Sequence, residues 1–339
     1  MNTSIQHARS ILDAVLEHRR MSIAILTSGG DSSGMNPAIK CFIERCLQQG
    51  ETPYLVYDGL EGLIDGSIRK ATWDDAAGII SRGGTIIRSS RSTRFYEPSQ
   101  RQKASAELKK RGIDKLVMLG GDGSYSAMAQ FQDETELAVA CLPATIDNDV
   151  PGSDYSIGVD TALNVIRKAI DDIRDTASSF SRAFIIETMG RSCGYLAMVS
   201  ALVSGAEICL IPEVSHNFKS IKERIARSIH HGRRYAIAVV SEGVEQGAKR
   251  LSHWFEEELH MSSRVTVLGH VQRGGSPSVY DRRIAFEFTT LAVDELLKGN
   301  RCFAVCSESG QLKIRALSSL PTEIELDPEL IKLVTRLCQ

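Results

Sequence analysis

Two carboxylates follow the same apolar segment of this chain. Asp147 and Asp149 lie in the stretch Thr145-Ile-Asp-Asn-Asp149, which follows the apolar run Leu137–Leu142. If the chain stays extended there, residues two apart point the same way, so both carboxylates face one site. Like charges held together cost free energy unless a metal ion, a cation or a proton transfer uses them. The pair therefore predicts a base with an electrostatic partner; an ordinary Asp-rich turn is the alternative.

Two glycine-rich loops carry features of a phosphate site. Lys115–Leu119 leads into Gly120-Gly-Asp122-Gly-Ser124, which has little bulk and one carboxylate. Asp122 can hold Mg²⁺ directly or through water, because Mg²⁺ keeps several waters and few carboxylates. Gly29-Gly30 lets backbone N–H groups approach a phosphate without a Cβ in the way. Thr145 and Arg191 are candidates to donate to a transferring phosphoryl group.

Two common nucleotide motifs are absent. The chain has no G-x-x-x-x-G-K-[ST] loop, which excludes a P-loop kinase as the simple interpretation. The pattern Gly-x-Gly-x-x-Gly does not follow a strand, since the nearest match from Gly121 ends in Ser126. A dinucleotide enzyme is therefore disfavoured.

The recurring unit is a short apolar run, then a small or charged loop, then a helical pattern. The runs span residues 23–26, 115–119, 183–186, 235–240 and 264–268. Strands this apolar, alternating with helices, predict an α/β fold with largely parallel sheets covered on both faces. Ligands of such sheets bind beyond the carboxyl ends of the strands, where the groups described above lie.

Basic residues form two further groups. Arg88, Arg91, Arg94 and Arg101 lie among serines, which predicts either a solvated basic loop or a mobile arm that brings guanidinium groups to phosphates. The second half contains basic groups at or near strand ends, with Glu242 as an acceptor for hydroxyls. Those basic groups are Arg182, Arg264, His270 and Arg273. They suit a phosphate on an acceptor substrate.

Composition limits the other possibilities. The chain has 339 residues and a formal net charge of −2, which gives no reason to expect a nucleic-acid or anionic-membrane partner. No apolar run approaches the length of a membrane helix. The eight cysteines include no C-x-x-C pair, so we expect a reducing cytoplasm. Residues 1–20 predict an extra amphipathic helix or a partly disordered extension.

Together these residues resemble the ATP-dependent 6-phosphofructokinase family. The matching segments are ILTSGGDSSGMNPAI (25–39), VYDGLEGL (56–63), RGGTIIRSSR (82–91), MLGGDGSY (118–125), LPATIDNDVPGSDYSIGVDTA (142–162), ETMGRSCGYLA (187–197) and VTVLGHVQRGGSPS (265–278). The resemblance implies transfer of the γ-phosphoryl group of ATP to the 1-hydroxyl of fructose 6-phosphate with Mg²⁺, the committed step of glycolysis. It also implies a cytoplasmic, allosteric homotetramer with shared active sites.

The resemblance further implies two doubly wound domains with the active site in the cleft between them. We expect an extension at 1–20, a nucleotide domain at 21–157 plus 270–320, and a sugar-phosphate domain at 158–269 plus 321–339. The positions that match catalytic groups are Asp147 (the base), Asp149, Thr145, Arg191 and Arg91. Those that match nucleotide contacts are Gly29, Tyr57, Arg91, Gly121, Asp122 (the Mg²⁺ ligand), Gly123 and Ser124. Those that match sugar-phosphate contacts are Thr145, Asp147, Met189, Gly190, Arg191, Glu242, His270 and Arg273, with Arg182 and Arg264 supplied by a neighbouring subunit.

Two positions bear on the phosphoryl donor. Pyrophosphate users of this superfamily typically have Asp where Gly123 stands and Lys where Ala144 stands. Bulk and charge at the first position would obstruct an α-phosphate, so ATP is favoured. Arg88 also departs from the family, because that position is usually small.

The effector pocket of the bacterial family members is only partly preserved. Basic and acidic groups remain at Lys40, Arg174, Glu207, Arg233 and Arg234. Glu44 and Trp73 stand where arginines are expected, and Gly78 stands where a carboxylate is expected. An anion facing Glu44 is repelled, so we expect weakened or rerouted control by ADP or phosphoenolpyruvate.

Alternatives to the kinase remain open. One is a pyrophosphate-dependent phosphotransferase on the same fold. Another is a catalytically silent regulatory subunit, which would be expected to lose Asp147 or the Mg²⁺ carboxylate. A lipid or NAD kinase also uses a Gly-Gly-Asp-Gly loop, but has no need of the segment His270–Arg273.

Overall fold

Two sheets organise the chain. The computed structural model describes residues 21–338, so the expectation for residues 1–20 lies outside the described residues. The larger sheet has seven strands, and the smaller has four. The α/β fold with mostly parallel sheets is therefore confirmed.

The larger sheet is parallel except at its two edges. Its strands are β1 (Ser22–Thr27), β2 (Thr52–Val56), β3 (Ile68–Lys70), β4 (Ile113–Gly120), β5 (Ala138–Pro143), β10 (Phe303–Glu308) and β11 (Gln311–Ala316). Their order across the sheet is β11-β10-β5-β4-β1-β2-β3. The edge strands β3 and β11 pair antiparallel with β2 and β10. In the central strand β1, Ile23 and Ile25 face one hydrophobic cluster while Ala24 and Leu26 face the other. All four are fully buried, so this sheet is covered on both faces as predicted.

Helices cover these faces in two layers. Helices α1 (Met35–Gln48) and α9 (Val279–Leu297) pack on one side of the larger sheet. Helices α2 (Gly59–Asp65), α3 (Pro98–Lys109) and α4 (Asp122–Asp133) pack on the other side. Short 3₁₀ turns lie at Trp73–Ala76, Arg94–Tyr96, Gly269–Arg273 and Leu317–Ser319.

The smaller sheet is wholly parallel. Its strands are β6 (Ala183–Thr188), β7 (Ile208–Leu210), β8 (Ala236–Ser241) and β9 (Ser263–Val267). Their order across the sheet is β7-β8-β6-β9. Helices α5 (Val159–Ala177), α6 (Tyr195–Ser204) and α10 (Pro328–Cys338) cover one face, and α7 (Phe218–His230) and α8 (Gly247–Leu259) cover the other.

Strand β9 departs from the expectation of strands covered on both faces. Only its first residue, Ser263, is buried, and Val265 and Val267 are 42% and 62% exposed. The reason is that β9 lies at the edge of the smaller sheet, with β6 on one side and no strand on the other among the described residues. The apolar residues of β9 therefore form part of the exposed surface of this chain and not part of its core.

The parallel register brings three strand ends together. Thr27 of β1 lies opposite Leu119 of β4, and Gly120 of β4 lies opposite Pro143 of β5. The loops that follow these strands therefore start side by side at one edge of the larger sheet. Within residues 21–338, no helix is both long and apolar enough to cross a lipid bilayer.

Candidate functional site

A cleft of about 360 Å³ lies at the carboxyl ends of β1, β4 and β5. Both glycine loops and the acidic pair line it, as the sequence predicts. Eleven of the predicted site residues line this cleft. They are Gly29, Arg91, Gly121, Asp122, Gly123, Ser124, Thr145, Asp147, Asp149, Arg191 and Arg273. The cleft thus brings together three carboxylates and three guanidinium groups.

The glycine loops are built to admit a bulky anion. Gly29 has a φ of 83°, a left-handed conformation that favours glycine, and a Cβ at Gly123 would meet no atom within 4 Å. Helix α4 begins at Asp122, so the unpaired N–H groups and positive dipole end of its first turn face the cleft. Ser124 donates a hydrogen bond to Ser28 at 2.9 Å between hydroxyl oxygens, which joins the two loops.

Asp147 is the most constrained carboxylate of the cleft. It is 1% exposed, and its Oδ2 lies 3.2 Å from Nε of Arg191. Its Oδ1 is buried and has no hydrogen-bond partner among the described residues. Burial raises the pKa of Asp147, and the charges of Arg191 and Arg273 only partly oppose this. A buried acceptor without a donor costs free energy, so this oxygen is suited to accept a hydrogen bond from a bound hydroxyl.

Asp149 completes the acidic pair. Burial, followed by the charge of Asp147, raises its pKa to about 6, while Arg191 acts in the opposite direction. Two carboxyl groups with raised pKa values in one cleft match a site that handles protons.

The prediction that the chain is extended through Asp147 and Asp149 was wrong. The strand β5 ends at Pro143, before the pair, so the chain does not stay extended through it. Asn148 between the carboxylates has a φ of 53°, in the left-handed region. Asp147 and Asp149 both reach the cleft because of this turn and not because of strand alternation.

Arg191 is held by Glu242. Oε1 of Glu242 accepts hydrogen bonds from the N–H groups of Gly190 at 3.1 Å and Arg191 at 2.9 Å. These bonds support the left-handed backbone of Arg191, whose φ is 52°. Gln272 supports the preceding residue, since its Oε1 accepts from the N–H of Met189 at 3.2 Å. The loop after β6 is therefore fixed by groups from the ends of β8 and β9.

Arg273 is a buried guanidinium group next to the first glycine loop. It is 7% exposed, and Nη1 donates to the carbonyl oxygen of Asp31 at 3.1 Å. A Cβ on Gly30 would lie 2.0 Å from Nη1, so glycine is required for this close approach. Arg273 forms no ion pair with a carboxylate of residues 21–338. A buried cation in this state is suited to bind an anionic ligand.

Several predicted site residues do not line this cleft. They are Tyr57, Arg182, Met189, Gly190, Glu242, Arg264 and His270. The guanidinium groups of Arg69 and Arg88 lie over the ring of Tyr57, at 5.8 and 5.9 Å from its centroid.

Arg182 and Arg264 lie at the opposite end of the smaller sheet from the loops of the cleft. Arg182 directly precedes β6 and stacks on Phe180, while Arg264 is the second residue of β9 and donates to its neighbour Ser263. The amino ends of parallel strands face away from the carboxyl ends, so these two arginines do not join the site of their own chain. His270 is exposed in the 3₁₀ turn after β9.

The mobile basic arm is not observed. Arg88 forms a bidentate ion pair with Asp58, and Arg94 binds Glu61 and Asp65. Arg101 is 1% exposed in α3 and forms a bidentate ion pair with Glu134. Arg91 alone of the four lines the cleft, with no hydrogen bond or ion pair to another described residue. The other three arginines anchor the segment that presents it.

The apolar wall of the cleft was not among the features predicted from the sequence. Leu60, Phe95, Tyr96 and Ala127 line it beside the glycine loops. An apolar surface with aromatic side chains suits the planar face of a base. The signal was the pair Phe95-Tyr96 within an otherwise polar, basic stretch.

Asp122 fits the role of a Mg²⁺ ligand. Its carboxylate accepts no hydrogen bond and joins no ion pair within residues 21–338, so it is uncommitted. No group of three or more His, Cys, Asp or Glu side chains in that range could hold a metal ion by itself. This matches Mg²⁺, which binds through one or two carboxylates together with phosphates and water.

Comparisons with known proteins identify a family that this chain resembles along most of its length. The family model described as phosphofructokinase matches residues 22–296. The chain is 53% identical over 311 residues to the ATP-dependent 6-phosphofructokinase of Sulfurimonas denitrificans, covering 91% of this chain and 98% of that protein. It is 56% identical over 290 residues to the enzyme of the same name from Sulfurovum sp. (strain NBC37-1), covering 85% and 88%.

Solved structures show the same architecture. Phosphofructokinase from Saccharomyces cerevisiae aligns with a TM-score of 0.84 and 32% identity over 93% of this chain. The alignment covers 46% of the yeast chain, so the present chain spans about half of that length. A pyrophosphate-dependent phosphofructokinase from Marinobacter aquaeolei aligns with a TM-score of 0.78 at 20% identity over 89% of this chain and 84% of its own, which concerns the fold alone.

Proposed function

The chain belongs to the phosphofructokinase family, and we propose that it transfers the γ-phosphoryl group of ATP to the 1-hydroxyl of D-fructose 6-phosphate. The products are ADP and fructose 1,6-bisphosphate, and the step is that of glycolysis. The observation that carries this proposal is the buried Asp147, with one oxygen beside Arg191 and the other without a partner. High identity to curated ATP-dependent enzymes over nearly the whole chain supports it.

Asp147 acts as the general base of this reaction. The free Oδ1 accepts the proton of the sugar 1-hydroxyl as that oxygen forms its bond to the γ-phosphorus, and the bond from the γ-phosphorus to the β-bridging oxygen breaks to release ADP. Arg191 stays next to Asp147 and keeps enough of the carboxylate ionised to accept the proton. Asp149 adds negative charge beside the base, which raises its proton affinity.

The phosphates of ATP are bound by the two glycine loops and by Arg91. Gly29, Gly121, Gly123 and Ser124 allow the backbone to approach them, and the N-terminus of α4 faces them. Thr145 and Arg191 donate to the transferring group. Mg²⁺, held by Asp122 and the phosphates, would neutralise the charge that develops on the phosphate oxygens.

Fructose 6-phosphate binds between the two sheets. Arg273 and His270 hold the 6-phosphate, and Met189, Gly190 and Glu242 contact the sugar. Oε1 of Glu242 is committed to the loop of Arg191, which leaves Oε2 for a sugar hydroxyl. Arg182 and Arg264 serve the site of a neighbouring subunit, which their distance from the cleft of their own chain supports.

Self-association as a homotetramer follows from the shared site. The uncovered edge strand β9 supports it, since it carries Arg264 beside the exposed Val265 and Val267. The protein is cytoplasmic on this proposal. The two domains have the boundaries given above, and the two sheets lie one in each: the strands of residues 22–143 and 303–316 in the nucleotide domain, and those of 183–267 in the sugar-phosphate domain.

Gly123 supports ATP as the donor. A Cβ there would meet nothing within 4 Å, so the glycine is not required by packing, and its absent side chain leaves room for a nucleotide. The apolar wall formed by Leu60, Phe95 and Ala127 has no use with pyrophosphate as the donor.

Control by an anionic effector such as ADP or phosphoenolpyruvate is weakened at the position of the family's effector pocket. Lys40 is engaged in an ion pair with Glu44, and Glu207 is engaged with Arg233. The first pair removes a positive charge that the effector would need.

The test measures turnover in a coupled assay with fructose 6-phosphate and either ATP or pyrophosphate. We expect turnover with ATP; turnover with pyrophosphate alone, or with neither donor, contradicts the proposal. Asp147→Ser should lower kcat by about 10²–10⁴-fold while sugar binding is largely retained, because only the base is lost. Asp133→Ser is the matched control, since Asp133 is exposed and lies outside the cleft. Near-normal turnover in Asp147→Ser would end the assignment of the base.

A further inference from the structure

Asn148 separates the two carboxylates and points away from them. It is 4% exposed, and its side chain does not line the cleft that contains Asp147 and Asp149. It lines a different cavity, behind the acidic pair. The reaction proposed above gives this residue no role, although it lies between the groups that perform it.

The amide of Asn148 closes the loop that follows the pair. Nδ2 donates to the carbonyl oxygen of Asp154 at 3.1 Å, and Oδ1 accepts from the N–H of Ser156 at 2.9 Å. Both partners are backbone atoms six and eight residues farther along the chain. The side chain thus replaces the ladder hydrogen bonds that the chain loses where it leaves β5.

The far side of this loop is anchored to the larger sheet. The N–H of Asp154 donates to the carbonyl of Ser307 in β10 at 2.7 Å, and the N–H of Ile157 donates to the carbonyl of Pro143 in β5 at 2.8 Å. The amide of Asn148 therefore connects the acidic pair to β5 and β10, which pair with each other in the larger sheet.

We propose that Asn148 is a positioning residue for the phosphoryl transfer, an inference that rests on the proposed function. Its two amide hydrogen bonds fix the left-handed turn, with φ of 53°, that points Asp147 and Asp149 into one cleft. Without them, the turn that separates the two mutually repelling carboxylates loses its side-chain hydrogen bonds, and the extended strand cannot replace them because it ends at Pro143. Asparagine suits the position because it tolerates the left-handed region and supplies both a donor and an acceptor.

Glycine separates the two contributions of this side chain. Asn148→Gly keeps access to the left-handed conformation at no steric cost but removes both amide bonds. If conformation alone mattered, this variant would behave like the wild type. If the amide positions the carboxylates, kcat falls by about 10²-fold, the cost of a displacement of about 1 Å in a reacting group. The KM values for ATP and fructose 6-phosphate should change less than about threefold, because most of the binding groups lie on other loops.

The experiment measures kcat, both KM values and the pH dependence of kcat/KM, with kcat expressed per ATP-binding site. We expect the loss in kcat together with an acid limb displaced from that of the wild type, because the spacing of the carboxylates sets their pKa values. Two controls match the two properties of Asn148, its left-handed backbone and its amide hydrogen bonds. Gln246→Gly replaces another left-handed residue, with φ of 50°, and Asn164→Ala removes another asparagine amide bonded to a backbone carbonyl. Both should stay within about twofold of the wild type.

Two outcomes overturn the inference. One is a kcat per binding site within about twofold of the wild type in Asn148→Gly, and the other is an equal loss in either control. If Asn148→Gly does not fold, Asn148→Asp replaces it. Aspartate has the same size and keeps the acceptor for Ser156, but it cannot donate to Asp154 when ionised. A kcat within about twofold of the wild type in this variant would likewise overturn the inference. A wild type without turnover refutes the proposed function instead, so the two failures are distinct.

Discussion

Replacing Asp149 with asparagine should stabilise the fold while impairing the site. Its pKa in the folded protein is about 6, against an ordinary value of 3.8. For an acid whose pKa is raised by folding, the ionised form is penalised, and the penalty is fully present above the folded pKa and absent below the unfolded one. The difference corresponds to about 3 kcal/mol at pH 8. Asparagine has nearly the same shape and cannot ionise, so Asp149→Asn should gain up to this amount.

The gain should depend on pH. At pH 5 the folded carboxyl group is mostly protonated while the unfolded one is mostly ionised, so the gain falls to about half. With an unfolding entropy of about 2 cal/mol/K per residue, we expect the Tm to rise by about 4 °C at pH 8 and by about 2 °C at pH 5.

The assay is thermal unfolding of the wild type and the variant at one protein concentration and both pH values. Asp133→Asn is the control, since Asp133 is exposed, and it should change the Tm by less than about 1 °C at either pH. An unchanged or lower Tm for Asp149→Asn at pH 8 would refute the argument, as would a gain that does not shrink at pH 5.

Three other predictions concern activity. The apparent pKa of the acid limb of kcat/KM should lie above the range of an ordinary aspartate, because burial raises the pKa of Asp147 and the base must be ionised. A pH–rate profile with no loss of activity down to about pH 4.5 would contradict this. Gly30→Ala should raise the KM for fructose 6-phosphate about tenfold or more, with less effect on the KM for ATP, because the new methyl group displaces the guanidinium of Arg273. Steady-state kinetics with each substrate varied in turn measure both values, and an equal rise in both would contradict this prediction. Inhibition by phosphoenolpyruvate should be weak in the wild type and stronger in Glu44→Arg, which removes the carboxylate paired with Lys40; strong cooperative inhibition of the wild type would show the reasoning to be wrong.

The sequence by itself determined the chemistry and the class of fold. Apolar runs followed by glycine and aspartate predicted parallel strands with a phosphate site at their carboxyl ends, and the loops after β1, β4 and β5 meet there. These features are local, because a strand, a glycine turn and a carboxylate each follow from a few adjacent residues. The resemblance to phosphofructokinases added the order of the segments, and the family is confirmed.

Only the tertiary structure decided how those groups are held. Spacing along the chain could not show that Asn148 turns the pair, that Glu242 fixes Arg191, or that Arg101 is buried against Glu134. Each of these contacts joins residues that are eight to fifty-one positions apart, so none of them follows from a pattern of adjacent residues. The exposure of β9 was equally hidden, because an apolar strand has the same composition whether its own chain or another surface covers it.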